Sequence, residues 1–374
     1  MQKWTLFLVV AVLALSSACS RAKGPEMKVT SLRCEYLENP LGIDETRPRL
    51  SWVLESPERG QYQSAYRILV ASSPETLAGD QGDLWDTGKV YGDQTTQVVY
   101  EGKPLTSRLR CCWKVCAWDK NGKLSAFSDP ASWSMGLLSA GEWQGKWIGM
   151  KAAEIETPAD SERLPPGPPA PCLRKAFTLT KPIARATAYV TARGLFVLHL
   201  NGRRVSGDVF VPDWTDYHKR IQYCTYDVTG LLAQGQNVVG ALVGDGWYSG
   251  YLAWTKKRAH YGEQNSLLLN LVVEYRDGSQ EVIASDETWR CHESPMVSSD
   301  LLMGEDYDAR RELPGWDKAG FDDSQWQEVI TVDKPEAVLV ARCSQPVQVA
   351  GHIDPVSVSE PLAGVYVFDL GQNI

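Results

Sequence analysis

The chain has 374 residues, of which 43% are hydrophobic and 22% are charged, a composition typical of a soluble protein with two or three domains. Its formal net charge of −8 argues against a nucleic-acid partner, because phosphate binding requires a basic stripe. The 31 Gly, 21 Pro and 14 Trp indicate many turns and many large flat side chains.

The N-terminus has the pattern of a targeting segment. Lys3 precedes the apolar run LFLVVAVLAL, residues 6–15, which is about half the roughly 20 residues that a membrane-spanning helix needs. We therefore expect a signal peptide over residues 1–18. The following SSAC resembles a bacterial lipoprotein box, which predicts lipidation of Cys19. We expect an exported lipoprotein, anchored to a membrane on the periplasmic side or the cell surface, with plain secretion as the alternative.

Eight cysteines remain once Cys19 is set aside, and their spacing contains no CxxC pair or metal-ligand pattern. An exported protein can form disulfides. Cys112 and Cys116, however, are expected on one strand face about 13 Å apart, too far for a bond between them. We favour buried free thiols and expect neither a metal nor another cofactor.

Strand signals follow one another along the rest of the chain. YRILVASS alternates in polarity, and CCWKVCAWDKNGK ends in Asn-Gly, which favours a tight hairpin turn. In a later run, five apolar residues share one face before a turn at Asp277-Gly278, namely Leu267, Leu269, Leu271, Val273 and Tyr275. Repeated short strands with Gly-based turns predict an all-β fold of two antiparallel β-sandwiches.

A proline-rich stretch divides the chain. Residues 149–171 contain six prolines, which cannot donate to a strand ladder, so we expect a linker or long loop there. The predicted domains are a first sandwich at 27–148 and a second at 172–330. Residues 331–374 then begin a third β-domain, because GVYVFDLGQNI starts like a strand and the chain ends directly after it.

Enzyme motifs are scarce, but aromatic and acidic residues cluster in Gly-rich sequence. Ser249 in GDGWYSGY does not fit G-x-S-x-G, so we do not expect a nucleophile. A sugar's C–H face packs on aromatic rings while carboxylates bind its hydroxyls, and loops often carry such residues. The candidate sugar contacts are Asp213, Trp214, Tyr217, Asp245, Trp247, Tyr248, Tyr251, Trp254, Glu305, Asp306, Asp308 and Arg310.

A structural interpretation of the same residues stays open. The acids are also typical of turn caps and of partners for nearby arginines. The rings are also typical of a sandwich core. Paired carboxylates can serve as general acid and base on a glycosidic bond, but their presence in sequence is a weak signal.

A family resemblance is carried by the stretches RPRLSW, DLWDTGKV, MGLLSAGEWQGKWIG, LHLNGRRV, VPDWTDYHKRIQYCTYDVTGLLAQGQNVVGALVGDGWYSGYLAW and GEDYDARRELPGWD. Together they resemble the N-terminal half of bacterial α-L-rhamnosidases. The leading part is similar to the family's fibronectin- or immunoglobulin-like domain, and the following part to a jelly-roll-like carbohydrate-binding module.

The resemblance implies an architecture that continues past these residues. VYVFDLGQN looks like the start of a concanavalin-like third β-domain, which the family follows with an (α/α)6 barrel and a final β-domain. In the family, acidic residues of that barrel hydrolyse terminal α-L-rhamnosides with inversion. The resemblance therefore assigns no catalytic residue to this chain, and it implies a truncated, inactive half whose partners are rhamnose-containing glycans and the missing catalytic domain.

One departure from the family concerns calcium. Some such modules hold Ca²⁺ and rhamnose through an acidic stretch before the Asn-Gly turn, but Ala192-Arg193-Gly194 stands here without a carboxylate. We therefore expect no calcium-dependent rhamnose site. The alternatives to an accessory half of an exported rhamnosidase are a stand-alone glycan-binding lipoprotein and an adhesion module that binds protein through its sheet edges.

Overall fold

The computed structural model describes residues 27–151, 166–254 and 257–373. The predicted signal peptide, Cys19 and most of the predicted proline-rich linker lie outside these ranges. The regular secondary structure of the described chain is almost wholly β-strand, which confirms the all-β prediction. Within these ranges no helix is long and apolar enough to cross a membrane.

The first sandwich pairs a sheet in the order β1-β2-β6 with a sheet in the order β4-β3-β7-β8, to which β5 adds at β3. Its core is rich in tryptophan, with Trp52, Trp113 and Trp133 almost fully buried between the sheets. The elements are β1 (Lys28–Cys34), β2 (Arg49–Glu55), β3 (Gln63–Ala71), α1 (Pro74–Ala78), β4 (Trp85–Asp86), β5 (Val90–Tyr91), β6 (Val98–Val99), β7 (Arg110–Asp119), β8 (Ala131–Ser134) and a 3₁₀ turn (Ala140–Glu142).

The second sandwich pairs a six-stranded sheet, β13-β12-β16-β10-β19-β22, with a sheet in the order β23-β9-β17-β11-β15-β24, to which β18 adds at β17. Its elements are β9 (Trp147–Gly149), β10 (Pro171–Leu179), β11 (Ile183–Arg193), β12 (Leu195–Leu200), β13 (Arg203–Arg204), β14 (Asp208–Val209), β15 (Arg220–Asp227), β16 (Gly235–Gly244), α2 (Gly246–Ser249), β17 (Ser266–Tyr275), β18 (Gln280–Ala284), β19 (Arg290–Glu293), β20 (Met296–Asp300), β21 (Gly304–Tyr307), β22 (Gln327–Glu328), β23 (Ile330–Val332), β24 (Val338–Ala341) and β25 (Val347–Gln348), with 3₁₀ turns at Thr229–Leu231 and Ala309–Arg311.

The core of the second sandwich follows the predicted alternation. The five residues of β17 that share a face all lie in the core, and Gly278 turns the chain into β18 with φ of +82°. The neighbouring strand β11 of the same sheet presents small side chains, Ala186, Ala188 and Ala192, to the same core. Small residues on one strand leave room for the leucines of its neighbour in the close-packed interior.

The predicted end of the second sandwich at residue 330 needs correction. β23 pairs with β9, β24 pairs in parallel with β15, and β25 pairs with β14, so strands as far as Gln348 belong to this sandwich. Trp147 and Ile148 of β9 fall inside the predicted first domain, but β9 pairs with β17. Sequence could not show these pairings because each joins segments far apart in the chain. The remaining hairpin, β26 (Ser357–Leu362) and β27 (Val365–Asp369), is exposed throughout.

All eight cysteines of the described residues are free thiols. Cys34, Cys111, Cys116, Cys172, Cys224 and Cys291 are buried, whereas Cys112 is half-buried and Cys343 is exposed. The preference for buried free thiols is therefore confirmed for six of them. Burial raises the pKa of the Cys172 thiol to about 12, so it stays protonated at neutral pH.

Candidate functional site

Two loops of the second sandwich bring tryptophan rings together. Trp214 follows β14 and Trp247 lies in α2, and their ring planes are inclined by only 3° with centroids 6.2 Å apart. Phe210 meets the edge of Trp247 at 6.4 Å. The Trp214 Nε1–H donates to the Tyr261 hydroxyl at 3.2 Å. We call Phe210, Trp214, Trp247 and Tyr261 the aromatic surface.

The backbone at Phe210 holds this ring outward. Its φ of +58° lies in the left-handed region, which is costly for a bulky side chain and persists only where surrounding structure enforces it. The neighbouring Val211 carbonyl accepts the Phe196 N–H at 2.9 Å, which ties this segment to β12. Phe210 is 47% exposed and Trp214 is 54% exposed, so the aromatic surface offers large apolar faces to solvent.

Asp245 supports the aromatic surface from below. Its carboxylate accepts from the Asn265 side-chain amide at 2.8 Å and from the Ser249 hydroxyl at 3.1 Å, and it forms an ion pair with Arg258. Asp245 is 1% exposed. Burial raises the pKa of this carboxyl, and Arg258 opposes that rise. The carboxylate thus stabilises the loop that carries Trp247, and it has no exposed oxygen that could bind a sugar.

Three of the predicted tyrosine contacts are also buried. Tyr217 and Tyr248 pack edge to face with centroids 5.5 Å apart, and Tyr217 packs on Tyr261 at 5.1 Å. Tyr251 is buried as well, and its backbone N–H donates to Asp300 at 2.7 Å. Burial raises the pKa of the Tyr217 hydroxyl, which stays protonated. Tyr217 and Tyr248 thus form the base of the aromatic surface rather than part of its exposed face.

Asp213 and Trp254 differ in their positions. Asp213 is half-buried beside Trp214, and its carboxylate accepts a hydrogen bond from the Ser344 hydroxyl. Trp254 is 98% exposed, and within the described ranges no other ring packs against it. The structure therefore brings Asp213 to the aromatic surface and leaves Trp254 apart from it.

The second predicted acidic group lies on β21 and in the 3₁₀ turn that follows it. Asp306 accepts from the Ser298 hydroxyl at 2.9 Å across the hairpin of β20 and β21. Asp308 caps the next 3₁₀ turn and pairs with Arg310 at 2.8 Å, and this partner keeps the pKa of Asp308 low. Glu305 is exposed at the rim of an apolar cavity. Most of these residues therefore act within their own turns, as the structural interpretation predicted.

The region before the Asn-Gly turn carries a positive charge. Arg193 is 8% exposed, its Nε donates to the Ser266 hydroxyl at 2.7 Å, and its guanidinium lies 4.9 Å from the Trp147 ring centroid. Across the described ranges no three His, Cys, Asp or Glu side chains converge as a metal site. The residues present at this place are thus suited to ring packing rather than to holding a cation.

Some residues at the site were missed from the sequence. Phe210 and Tyr261 belong to the aromatic surface, and His218 and His260 pack on Tyr261 at 5.1 Å and 4.7 Å. Phe210, His260 and Tyr261 stand outside the quoted Trp-rich stretches, and His218 lies within VPDWTDYHKR but was not predicted as a contact, so only the pairing of the loops reveals their roles. A weak signal was available in RAHYGE, where an aromatic pair lies in polar, Gly-containing sequence.

A cleft of about 680 Å³ lies between the two sandwiches. Its charged groups already pair with each other: Arg33 with Glu38 at 3.0 Å and Arg342 with Asp208 at 2.8 Å. The cleft therefore offers few free charges to a ligand, and the aromatic surface remains the better candidate site.

The chain matches two protein-family profiles. One describes the alpha-L-rhamnosidase N-terminal domain and matches residues 181–351, and the other describes the Rha78A-like N-terminal immunoglobulin domain and matches residues 29–139. Fold and profiles together define a tandem β-sandwich protein whose immunoglobulin-like domain precedes a rhamnosidase-type domain. The chain belongs to the α-L-rhamnosidase family and carries its N-terminal domains.

Solved and curated relatives agree with this assignment. The structure of Streptomyces avermitilis α-L-rhamnosidase complexed with L-rhamnose matches with a TM-score of 0.85 and 31% identity, over 93% of this chain and 49% of that one. The Dictyoglumus thermophilum enzyme matches with a TM-score of 0.83 and 35% identity, over 92% of this chain and 39% of that one. A Formosa agariphila α-L-rhamnosidase is 38% identical over 87% of this chain and 34% of its own length. The chain thus spans half or less of the length of these relatives.

Proposed function

We propose that this chain is the accessory portion of an exported α-L-rhamnosidase and binds rhamnose-containing glycans on the aromatic surface. The observation that carries the proposal is the parallel pair of rings formed by Trp214, which is 54% exposed, and Trp247, which is half-buried beside it. The apolar C–H face of a pyranose packs on such rings, and the remaining hydroxyls need polar groups at the edge. His218, His260 and the Tyr261 hydroxyl lie at that edge and supply donors and acceptors.

The two sandwiches also have a scaffolding role in this proposal. Their junction is closely packed, since the Leu137 N–H donates to the Tyr223 hydroxyl at 3.0 Å and the Ala341 N–H donates to Asp44 at 2.8 Å. Such a junction supports a rigid unit. We assign hydrolysis of terminal α-L-rhamnosides to a partner, the family's catalytic domain, which these sandwiches hold.

An activity assay tests the accessory role. The purified chain is expected to release no 4-nitrophenol from 4-nitrophenyl α-L-rhamnoside. Turnover that is lost in Glu305→Gln or Asp306→Asn would contradict the proposal, because it would place the catalytic carboxyl groups in this chain.

Export and lipid anchoring belong to the same proposal. They rest on the apolar run before Cys19 and on the SSAC pattern. Expressed in a bacterial host with labelled fatty acid, the chain is expected to incorporate label and to partition with membranes, whereas Cys19→Ser does neither. Equal partitioning of both forms would contradict lipidation of Cys19.

A further inference from the structure

The outer face of the six-stranded sheet is apolar where β12 and β16 run side by side. In β12, Phe196 and Leu198 point into the core, while Leu195 and Val197 alternate with them and are half-buried on the opposite face. Leu242 of β16 pairs with Val197 and is half-buried as well. The solvent side of an antiparallel sheet is ordinarily polar, so this apolar patch needs a further explanation.

A cavity of about 470 Å³ lies over that patch. Met296 and Leu301 of the hairpin of β20 and β21 form one wall, and Phe210 forms another. Gly244 lines the cavity, and a side chain does not fit there because a Cβ would lie 2.8 Å from the Ser299 hydroxyl oxygen. Arg204 and Glu305 place charged groups at the rim. We call this cavity the apolar groove, and its size lies within the range of small-molecule sites, about 300–1,000 Å³.

The apolar groove opens onto the aromatic surface. Phe210 belongs to both, since it lines the groove and its ring meets Trp247 at 6.4 Å. Gly246, the residue before Trp247, also lines the groove. A ligand that lies on the tryptophan pair can therefore extend past Phe210 into the groove.

We propose that the apolar groove binds the aglycone of a glycoside whose sugar lies on the aromatic surface. The proposal rests on the proposed function, because the aromatic surface supplies the sugar site. The occupant is a small apolar ring system joined to the sugar through its glycosidic oxygen. Such a group matches the aliphatic floor of Val197 and Leu242, while the polar sugar matches the solvent-facing edge near Tyr261.

Calorimetric titration with two rhamnosides tests this proposal. Methyl and 4-nitrophenyl α-L-rhamnoside share the sugar and differ only in the group that reaches the groove. The purified chain is expected to bind the aryl rhamnoside about tenfold more tightly, a difference of about 1.4 kcal/mol. Val197→Asn and Leu301→Ser each place a polar group in the groove and are expected to remove most of that preference. Both residues are outside the buried core, so folding is preserved.

Matched controls separate the groove from the sugar site. Val53→Asn alters an exposed valine of the first sandwich and leaves the tenfold preference unchanged. Trp247→Ala weakens both rhamnosides. Equal affinity for the two ligands, or a preference that survives in both groove variants, overturns the groove assignment alone. Failure of both ligands to bind overturns the proposed function together with the groove.

Discussion

Asn265 donates its side-chain amide to the buried carboxylate of Asp245 at 2.8 Å, and this bond fixes the loop that presents Trp247. The same carboxylate forms an ion pair with Arg258. Asp245, which the sequence predicted as a sugar contact, is therefore buried and supports the aromatic surface instead.

Loss of the Asp245 carboxylate is expected to destabilise the second sandwich. In Asp245→Ala the Arg258 guanidinium, which is 18% exposed, loses its ion-pair partner, and the free energy of unfolding should fall by about 3 kcal/mol. Urea denaturation measures the change. Asp216→Ala, which removes an exposed carboxylate paired with Lys219, serves as the control and should unfold like the parent chain. Equal midpoints for the two variants would contradict the supporting role of Asp245.

The junction between the sandwiches depends on Gly136. A Cβ at this position would lie 2.1 Å from the Tyr223 hydroxyl oxygen and 2.6 Å from the Gly42 carbonyl oxygen. Gly136→Ala is therefore expected to lower the free energy of unfolding by about 1–3 kcal/mol through overpacking. Gly207→Ala, where a Cβ meets nothing within 4 Å, is the matched control and should have no such cost. A Gly136→Ala chain as stable as this control would show that the junction is loose.

Acid is expected to weaken the cluster around Asp208. Burial acts to raise the pKa of this carboxyl, but hydrogen bonds from Gln348 and Arg342 outweigh it and hold the pKa below the ordinary value of 3.8. Because the folded-state pKa is depressed, this stabilisation is complete above the unfolded pKa and is lost as pH falls through the folded pKa. Thermal unfolding between pH 7 and pH 2 should therefore show a smaller acid loss in Asp208→Asn than in the parent chain. Identical pH profiles would be inconsistent with this role.

The sequence predicted the strands more fully than their partners. The alternation in β17 and the Asp277-Gly278 turn could be predicted, because the period of a strand and the residue preferences of a turn are local properties. The parallel pairing of β24 with β15 could not be predicted, since nothing in the local sequence specifies a partner more than a hundred residues away. The second sandwich consequently extends past the predicted boundary.

The sequence predicted which residue types form the candidate site, but not which of them are exposed and which are buried. Trp214 is exposed and Trp247 is half-buried, so both can reach a ligand, whereas Tyr217, Tyr248 and Asp245 from the same motifs are buried. A Gly-rich loop gives no periodicity that assigns inward and outward faces, so these roles could not be separated beforehand. The apolar positions 195 and 197 of LFVLHL were the one local sign that both faces of β12 are covered.

Binding of a simple rhamnoside tests the central claim most directly. In calorimetric titration with methyl α-L-rhamnoside, the purified chain is expected to bind saturably, and Trp247→Ala should weaken binding at least tenfold, about 1.4 kcal/mol. Trp254→Ala removes a ring that is 98% exposed and lies apart from the aromatic surface, so it should bind like the parent. An absence of saturable binding by the parent chain, or equal affinity in the parent and Trp247→Ala, would contradict the account.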